Sequence, residues 1–258
     1  MCDLLRKLKT EHNAVSVKAE FEAEGTRTDE LLRLVEISRK AELKVGLKIG
    51  GCEAIRDLME SKQIGVEYII APMVETAYAL GKFIDAKNKV YREQERADTE
   101  FLANMETITG FKNIDNISEL AAKSQGIDGL VFGRVDFAGS LSIDRALLND
   151  NKITDYCLEV SKKCKEHNLD LVVGGGISVD AIDALKKINN NFLSRFETRK
   201  IIFSSKSLCQ SSIGQGLLTA VEFELLWLKN KQEYYSMITS EDARRIDMLE
   251  SRWKIGGH

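Results

Sequence analysis

Seven short, mostly apolar runs recur between residues 14 and 205, and this alternation constrains the fold more than any other feature. They are AVSVKAEFEAEG, KVGLKIG, VEYIIAPM, FLANME, GLVFG, LDLVVGGG and RKIIFSS. Between them lie stretches with helical spacing, such as TRTDELLRLVEISRKAEL, where Leu31, Leu32, Val35 and Ile37 recur near every third or fourth position. Thr28 is placed to cap that helix ahead of Glu30. Apolar strands alternating with amphipathic helices predict a parallel sheet covered by helices, and seven in one run predict a closed barrel. The expected fold is therefore α/β, a (β/α)8 TIM-type barrel whose eighth element is missing, degenerate or N-terminal. A doubly wound open sheet is the alternative, but no GxGxxG opens a first helix. The chain reads as one domain of 258 residues: an N-terminal helix to about residue 13, a barrel core over about 14–208, and a helical extension over 209–258 rich in Leu, Trp and Tyr. Such an extension is expected either to cap the barrel or to join subunits of a homo-oligomer.

Side chains alternate between the faces of a strand, so Lys18, Glu20 and Glu22 share one face of the first run and Val17, Ala19 and Phe21 the other. In a barrel neither face is open solvent. The apolar set suits the helix layer, which turns the charged set inward. The second run repeats the pattern, with Val45, Leu47 and Ile49 outward and Gly46, Lys48 and Gly50 inward. FLANME does so again, with Leu102, Asn104 and Glu106 inward. Burying unpaired charge costs several kcal/mol, so such an interior must pair its ions with one another or bind a ligand. Glu22, Lys48 and Glu106 fall near the C-terminal ends of their strands, where barrel active sites lie. Asp136 follows another strand end in GLVFGRVDFAGS. With Glu106 it offers the hard oxygen donors that Mg²⁺ or Mn²⁺ prefers.

A formal net charge of −3 from 37 basic and 40 acidic residues mixed along the chain argues against nucleic acid as a partner. No apolar run is long enough for a signal peptide or a membrane span, so a cytoplasmic location is expected. The five cysteines are scattered without a CxxC pair, as expected of reduced thiols.

Three segments in order, GVEYIIAPMVETAYAL, NMETITGFKNIDNI and GIDGLVFGRVDFAGSLSI, together with GLKIGGCEAIRDL upstream, resemble the HpcH/HpaI aldolase and citrate lyase β-subunit family of pyruvate-type barrels. The likeness spans roughly residues 44 to 145 and extends more faintly to about 205. It implies that Glu106 and Asp136 are metal ligands, and that backbone amides of Gly133, Arg134 and Val135 hold the carboxylate of a pyruvate-like substrate. It also places Glu75 near the site. Two positions depart from the family pattern. Lys48 stands where an arginine clamps the 2-oxo acid, and lysine is a point charge without arginine's planar fork. EFEAEGTR lacks the histidine expected there, and His12, His167 and His258 are badly placed to replace it. Proton transfer then falls to Glu20, Glu22 or a metal-bound water.

VVGGGISVDAI adds a second candidate, since Gly174, Gly175 and Gly176 before a helix capped by Ser178 either present amides to a phosphate or make a tight turn. Lys18 and Lys48 are also candidate Schiff-base nucleophiles, although neighbouring glutamates would keep them protonated. Lys18 is a candidate contact for a substrate anion, Arg134 could reach such an anion or equally a surface carboxylate, and Cys52 reads as a small buried side chain or a residue of the mouth. The expected activity is metal-dependent carbon–carbon lysis of a 2-oxo acid adduct through a pyruvate-type enolate. The alternatives are a non-catalytic barrel that binds a small acidic or phosphorylated ligand, and cleavage of a coenzyme A thioester.

Overall fold

The computed structural model describes residues 1–255, so His258 lies outside the described residues. Eight strands close into one barrel in chain order. After helix α1 (Cys2–His12) come β1 (Ala14–Glu20), α2 (Thr28–Lys40), β2 (Lys44–Lys48), α3 (Ile55–Ile64), β3 (Tyr68–Ala71), α4 (Ala77–Val90) and β4 (Glu100–Met105). Two short helices, α5 (Ile108–Lys112) and α6 (Ile114–Ala121), lead to β5 (Gly129–Gly133), α7 (Arg134–Ser140), α8 (Asn151–Glu166), β6 (Asp170–Gly174) and α9 (Ile182–Asn189). The chain ends with β7 (Arg195–Glu197), β8 (Ile201–Ser204) and the 43-residue α10 (Ile213–Ile255).

The barrel is mixed, which corrects the expectation of an all-parallel sheet. Strands β1 to β7 pair in parallel, whereas β8 runs antiparallel to both β7 and β1. Only Thr198, Arg199 and Lys200 separate β7 from β8. A parallel connection needs a dozen or more residues, so a link this short can only fold back as a hairpin. Thr198 secures it, its N–H donating to Ile201 O at 2.9 Å and its Oγ1 accepting from Ile201 N at 3.1 Å. The run RKIIFSS is thus the eighth strand, reversed, and the three-residue β7 inside NNNFLSRFETRK is the element the spacing did not reveal. A smaller correction concerns α2, which is capped at Arg27, its N–H donating to Glu30 Oε2 at 3.1 Å; Thr28 is the first helical residue.

The large core lies between sheet and helices, built from outward residues such as Val17, Ala19, Val45, Leu47, Phe101, Ala103, Phe132 and Phe196. A separate cluster of Ile70, Leu102, Val131 and Val172 fills the inside of the barrel. Near the N-terminal strand ends Arg195 closes the interior, with Nη2 at 2.7 Å from both Glu100 and Asp170 and its guanidinium 4.6 Å from the Tyr68 ring centre. The opposite end is open and charged. Helix α10 packs on the barrel through Ile213, Leu217, Ala220, Phe223 and Trp227, and beyond Tyr235 all its residues are exposed. The expected extension therefore begins as a barrel helix, and only its distal part projects. No described helix is long and apolar enough to cross a membrane.

Candidate active site

A cavity of about 490 Å³ opens at the C-terminal strand ends. Lys18, Glu20, Glu22, Lys48, Glu106, Gly133, Val135, Asp136, Gly174, Gly175 and Gly176 all line it. Strand alternation places the first five as expected. Glu20 and Lys48 are register partners on β1 and β2, and Glu106 follows the last residue of β4.

Two ion clusters occupy the floor. Lys18 donates to Glu197 Oε1 at 2.5 Å and lies 3.3 Å from Glu20 Oε1. Lys48 lies 3.4 Å from both Glu106 oxygens and 3.2 Å from Glu22 Oε2. Burial alone would lower the pKa of both lysines. The carboxylates of Glu197 and Glu20 around Lys18, and of Glu106 and Glu22 around Lys48, outweigh it and hold both pKa values above the ordinary lysine value. Protonated lysines are not nucleophiles, which disfavours a Schiff base at either position. Burial likewise works against ionising Glu20, but Lys18, Arg199 and Lys48 together hold its pKa below the usual glutamate value.

Glu106 is 2% exposed and fully engaged: Oε1 accepts from Met73 N at 3.0 Å and Oε2 from Asn104 Nδ2 at 2.5 Å, in addition to Lys48. Asp136, in the first turn of α7, is exposed at the mouth without a hydrogen bond or ion pair among the described residues. Glycines make room for the acids. A Cβ at Gly133 would stand 2.8 Å from Glu106 Oε2, and one at Gly174 would stand 2.9 Å from Glu197 Cγ. Gly175 (φ 83°) and Gly176 (φ 64°) adopt the left-handed backbone that glycine tolerates best. A Cβ at Gly175 would also meet Val135 N at 2.7 Å, so the glycine turn is pressed against the start of α7.

Several candidates lie elsewhere. Arg134 is buried away from the cavity, donating to Gly175 O at 3.0 Å, Gly176 O at 2.8 Å and Asn149 Oδ1 at 3.0 Å. It fastens the glycine turn from behind. Ser178 precedes a 3-10 turn and donates to the Asp180 carboxylate without capping a helix. Glu75 accepts from Thr107 Oγ1 at 2.7 Å and does not line the cavity. Cys52 is half-buried with Sγ 3.8 Å from Pro72 O, and burial raises its thiol pKa. His12 is buried between α1 and α10, its ring against Gly216, and His167 caps α8.

Other residues reach the cavity without having been expected there. Glu197, Thr198 and Arg199 enter from the β7–β8 hairpin, Glu224 from α10 and Arg145 from the loop after α7. Arg199 lies 3.1 Å from Glu24 and 4.0 Å from Glu20, and Lys200 also pairs with Glu24, so the hairpin is tied to the loop after β1. The alternation of Arg195 and Glu197 was the one available signal for β7. Nothing local marks Glu224.

An eight-stranded α/β barrel whose acids and lysines converge at the C-terminal strand ends defines a barrel of the kind that carries its chemistry at that face. The chain belongs to the HpcH/HpaI aldolase/citrate lyase family, whose model matches residues 11–175. The β7–β8 hairpin and α10 lie beyond that match. Among curated proteins none matches significantly. Solved structures are similar in fold. An HpcH/HpaI aldolase from Desulfitobacterium hafniense has a TM-score of 0.60 at 14% identity, covering 76% of this chain and 82% of that one. A variant of the citrate synthase SbnG has a TM-score of 0.57 at 15% identity, covering 87% and 91%. A family protein from Burkholderia cenocepacia has a TM-score of 0.57 at 11% identity, covering 89% and 100%.

Proposed function

We propose that this cavity makes or breaks a carbon–carbon bond in a 2-oxo acid adduct, with Glu106 and Asp136 holding a divalent cation, Mg²⁺ or Mn²⁺. Family membership supports the lyase- or aldolase-like class of activity. The observation that carries the cation is the charge of the lining. Four cationic side chains face six carboxylates, an excess of two negative charges when all are ionised. Asp136 also keeps its oxygens free of other partners. No cluster of three or more His, Cys, Asp or Glu side chains suited to a metal occurs among the described residues, so water and substrate oxygens would complete the shell. When bound, such a cation supplies a Lewis acid for charge developing on an enolate oxygen.

The remaining roles fall to this chain's own groups. Lys48 is the cation nearest Glu106 and would neutralise the substrate carboxylate or the enolate. In the cleavage direction a carboxylate takes the proton of the substrate's hydroxyl, the carbon–carbon bond electrons pass to the 2-oxo fragment as its enolate, and a proton returned to carbon releases the 2-oxo acid. Glu20 is a poor acceptor, because three cations lower its pKa. Glu22, which pairs with Lys48 at 3.2 Å, is the alternative. The amides behind Gly175 would steady the substrate carboxylate only if the turn opens, since the glycine packs closely against Val135 N.

Calorimetry with Mn²⁺ tests this reading. Glu106→Gln and Asp136→Asn are each expected to abolish or strongly weaken binding, and unchanged affinity in both would remove the cation from the site. Pyruvate release from 4-hydroxy-2-oxo acids in the presence of Mg²⁺ or Mn²⁺ tests the reaction. Ligand binding without turnover across that panel would favour a non-catalytic barrel.

A further inference from the structure

The Lys48 ammonium is shared by two carboxylates, Glu106 at 3.4 Å and Glu22 at 3.2 Å. Each Glu106 oxygen already receives a second donor, Met73 N–H on Oε1 and Asn104 Nδ2 on Oε2. With Lys48 at 3.4 Å from both, the lone pairs of Glu106 are used up. Glu22 Oε2 already lies 3.2 Å from the same Nζ, nearer than either Glu106 oxygen, and has no further hydrogen-bond partner among the described residues. Glu20, across the strand pair, is committed to Lys18 and Arg199 and offers Lys48 no comparable place.

We propose that Lys48 is an internal counter-cation that is shared by Glu106 and Glu22 in the absence of a divalent ion and withdraws to Glu22 alone when one binds. The inference rests on the reading of Glu106 as a cation ligand. A divalent ion can use a Glu106 oxygen only after a donor leaves it. Met73 N–H is fixed in backbone, whereas the lysine ammonium is a point charge on a flexible stem with a second carboxylate already within 3.2 Å. Arginine's broad fork would not pass between two acids so readily, which gives the lysine at this position a purpose. Glu22 then acts as a positioning residue for Lys48, and a 2-oxo acid's carboxylate competing for Lys48 in turn frees Glu22 to take a proton.

Mn²⁺ alone, titrated into the full-length protein and followed by electron paramagnetic resonance of the free ion, tests the exchange. Close charge pairs couple strongly, so Lys48→Met is expected to bind Mn²⁺ about tenfold or more tightly, and Glu22→Gln about tenfold more weakly, than the wild type. Loss of a nearby charge could produce either change by itself, so the double variant decides. With Lys48 replaced by Met, Glu22→Gln is expected to alter affinity by less than about twofold, because Glu22 acts only through Lys48. An equal effect of Glu22→Gln in both backgrounds overturns the exchange, even where Glu106→Gln abolishes binding and the cation reading stands. Absence of Mn²⁺ binding in every protein, Lys48→Met included, removes both. If Lys48→Met does not fold, the isosteric Glu22→Gln decides alone, and unchanged affinity overturns the proposal.

Discussion

Lys18 Nζ and Glu197 Oε1 lie 2.5 Å apart although 179 residues separate them in the chain. The contact joins the first strand to the seventh across the barrel interior, next to the antiparallel β8 that lies between them in the sheet. Together with the backbone bond from Lys18 N to Lys200 O at 2.8 Å, it ties the hairpin to β1 where the barrel closes.

Lys18→Met is expected to destabilise the protein by about 3–5 kcal/mol in urea denaturation, since it strands the buried Glu197 carboxylate and leaves Glu20 with Arg199 at 4.0 Å. Glu197→Gln is expected to cost less, because Lys18 keeps Glu20 at 3.3 Å. The opposite order would mean that the lysine is not what holds these acids.

Gly175→Ala combines a positive φ with a Cβ that would stand 2.7 Å from Val135 N, and it is expected to lower stability by about 1–3 kcal/mol. Gly51, which has nothing within 4 Å of its Cβ position, supplies the control. Gly51→Ala is expected to change the denaturation midpoint little.

Acid is expected to loosen the packing of α1 on α10. Burial lowers the pKa of His12 below its ordinary value of 6.5, and neither ring nitrogen has a hydrogen-bond partner among the described residues. The unfolded chain therefore takes up the proton more readily than the folded one. This contribution to stability is present above pH 6.5 and is lost as pH falls through the lowered folded-state value. Thermal melts of His12→Gln between about pH 7 and pH 5 should show a shallower decline than the wild type. Parallel slopes would assign the acid sensitivity to other groups.

The distal part of α10 is expected to carry self-association. Tyr235 Oη donates to Glu30 Oε1 at 2.5 Å and Lys231 lies 3.0 Å from the same oxygen, and beyond them Met237, Ile238, Ile246 and Leu249 are exposed. A chain ending at Ser236 should keep the barrel's melting temperature as a folded unit but lose mass in light scattering, falling to a single chain. An unchanged mass would place any subunit contact elsewhere.

Much of the cavity was legible because its signals are local. A period of two along β1, β2 and β4 separates the charged set Lys18, Glu20, Lys48 and Glu106 from apolar neighbours, and a barrel has only one place for an inward charge near a strand's C-terminal end. The glycines were visible as well, but their purpose was not. Gly133 and Gly174 serve as gaps for Glu106 and Glu197, a relation between adjacent strands that no single segment displays.

Arg134 shows the limit most plainly. From sequence it could reach a substrate anion or equally a surface carboxylate, yet its side chain runs behind the glycine turn to bond Gly175 and Gly176. The direction of β8, the entry of Glu197 and Arg199 through a hairpin, and the approach of Glu224 from α10 likewise depend on which elements meet when the barrel closes. Hydrophobic period and turn residues, set by the backbone geometry of a few neighbouring residues, determined from sequence alone that seven of the strands form, which of their faces turn inward and that Glu20, Glu22, Glu106 and Asp136 reach the mouth. Tertiary structure alone decided how the last two strands run and which distant charges pair, because closure brings together groups whose separation in the chain carries no trace of their contact.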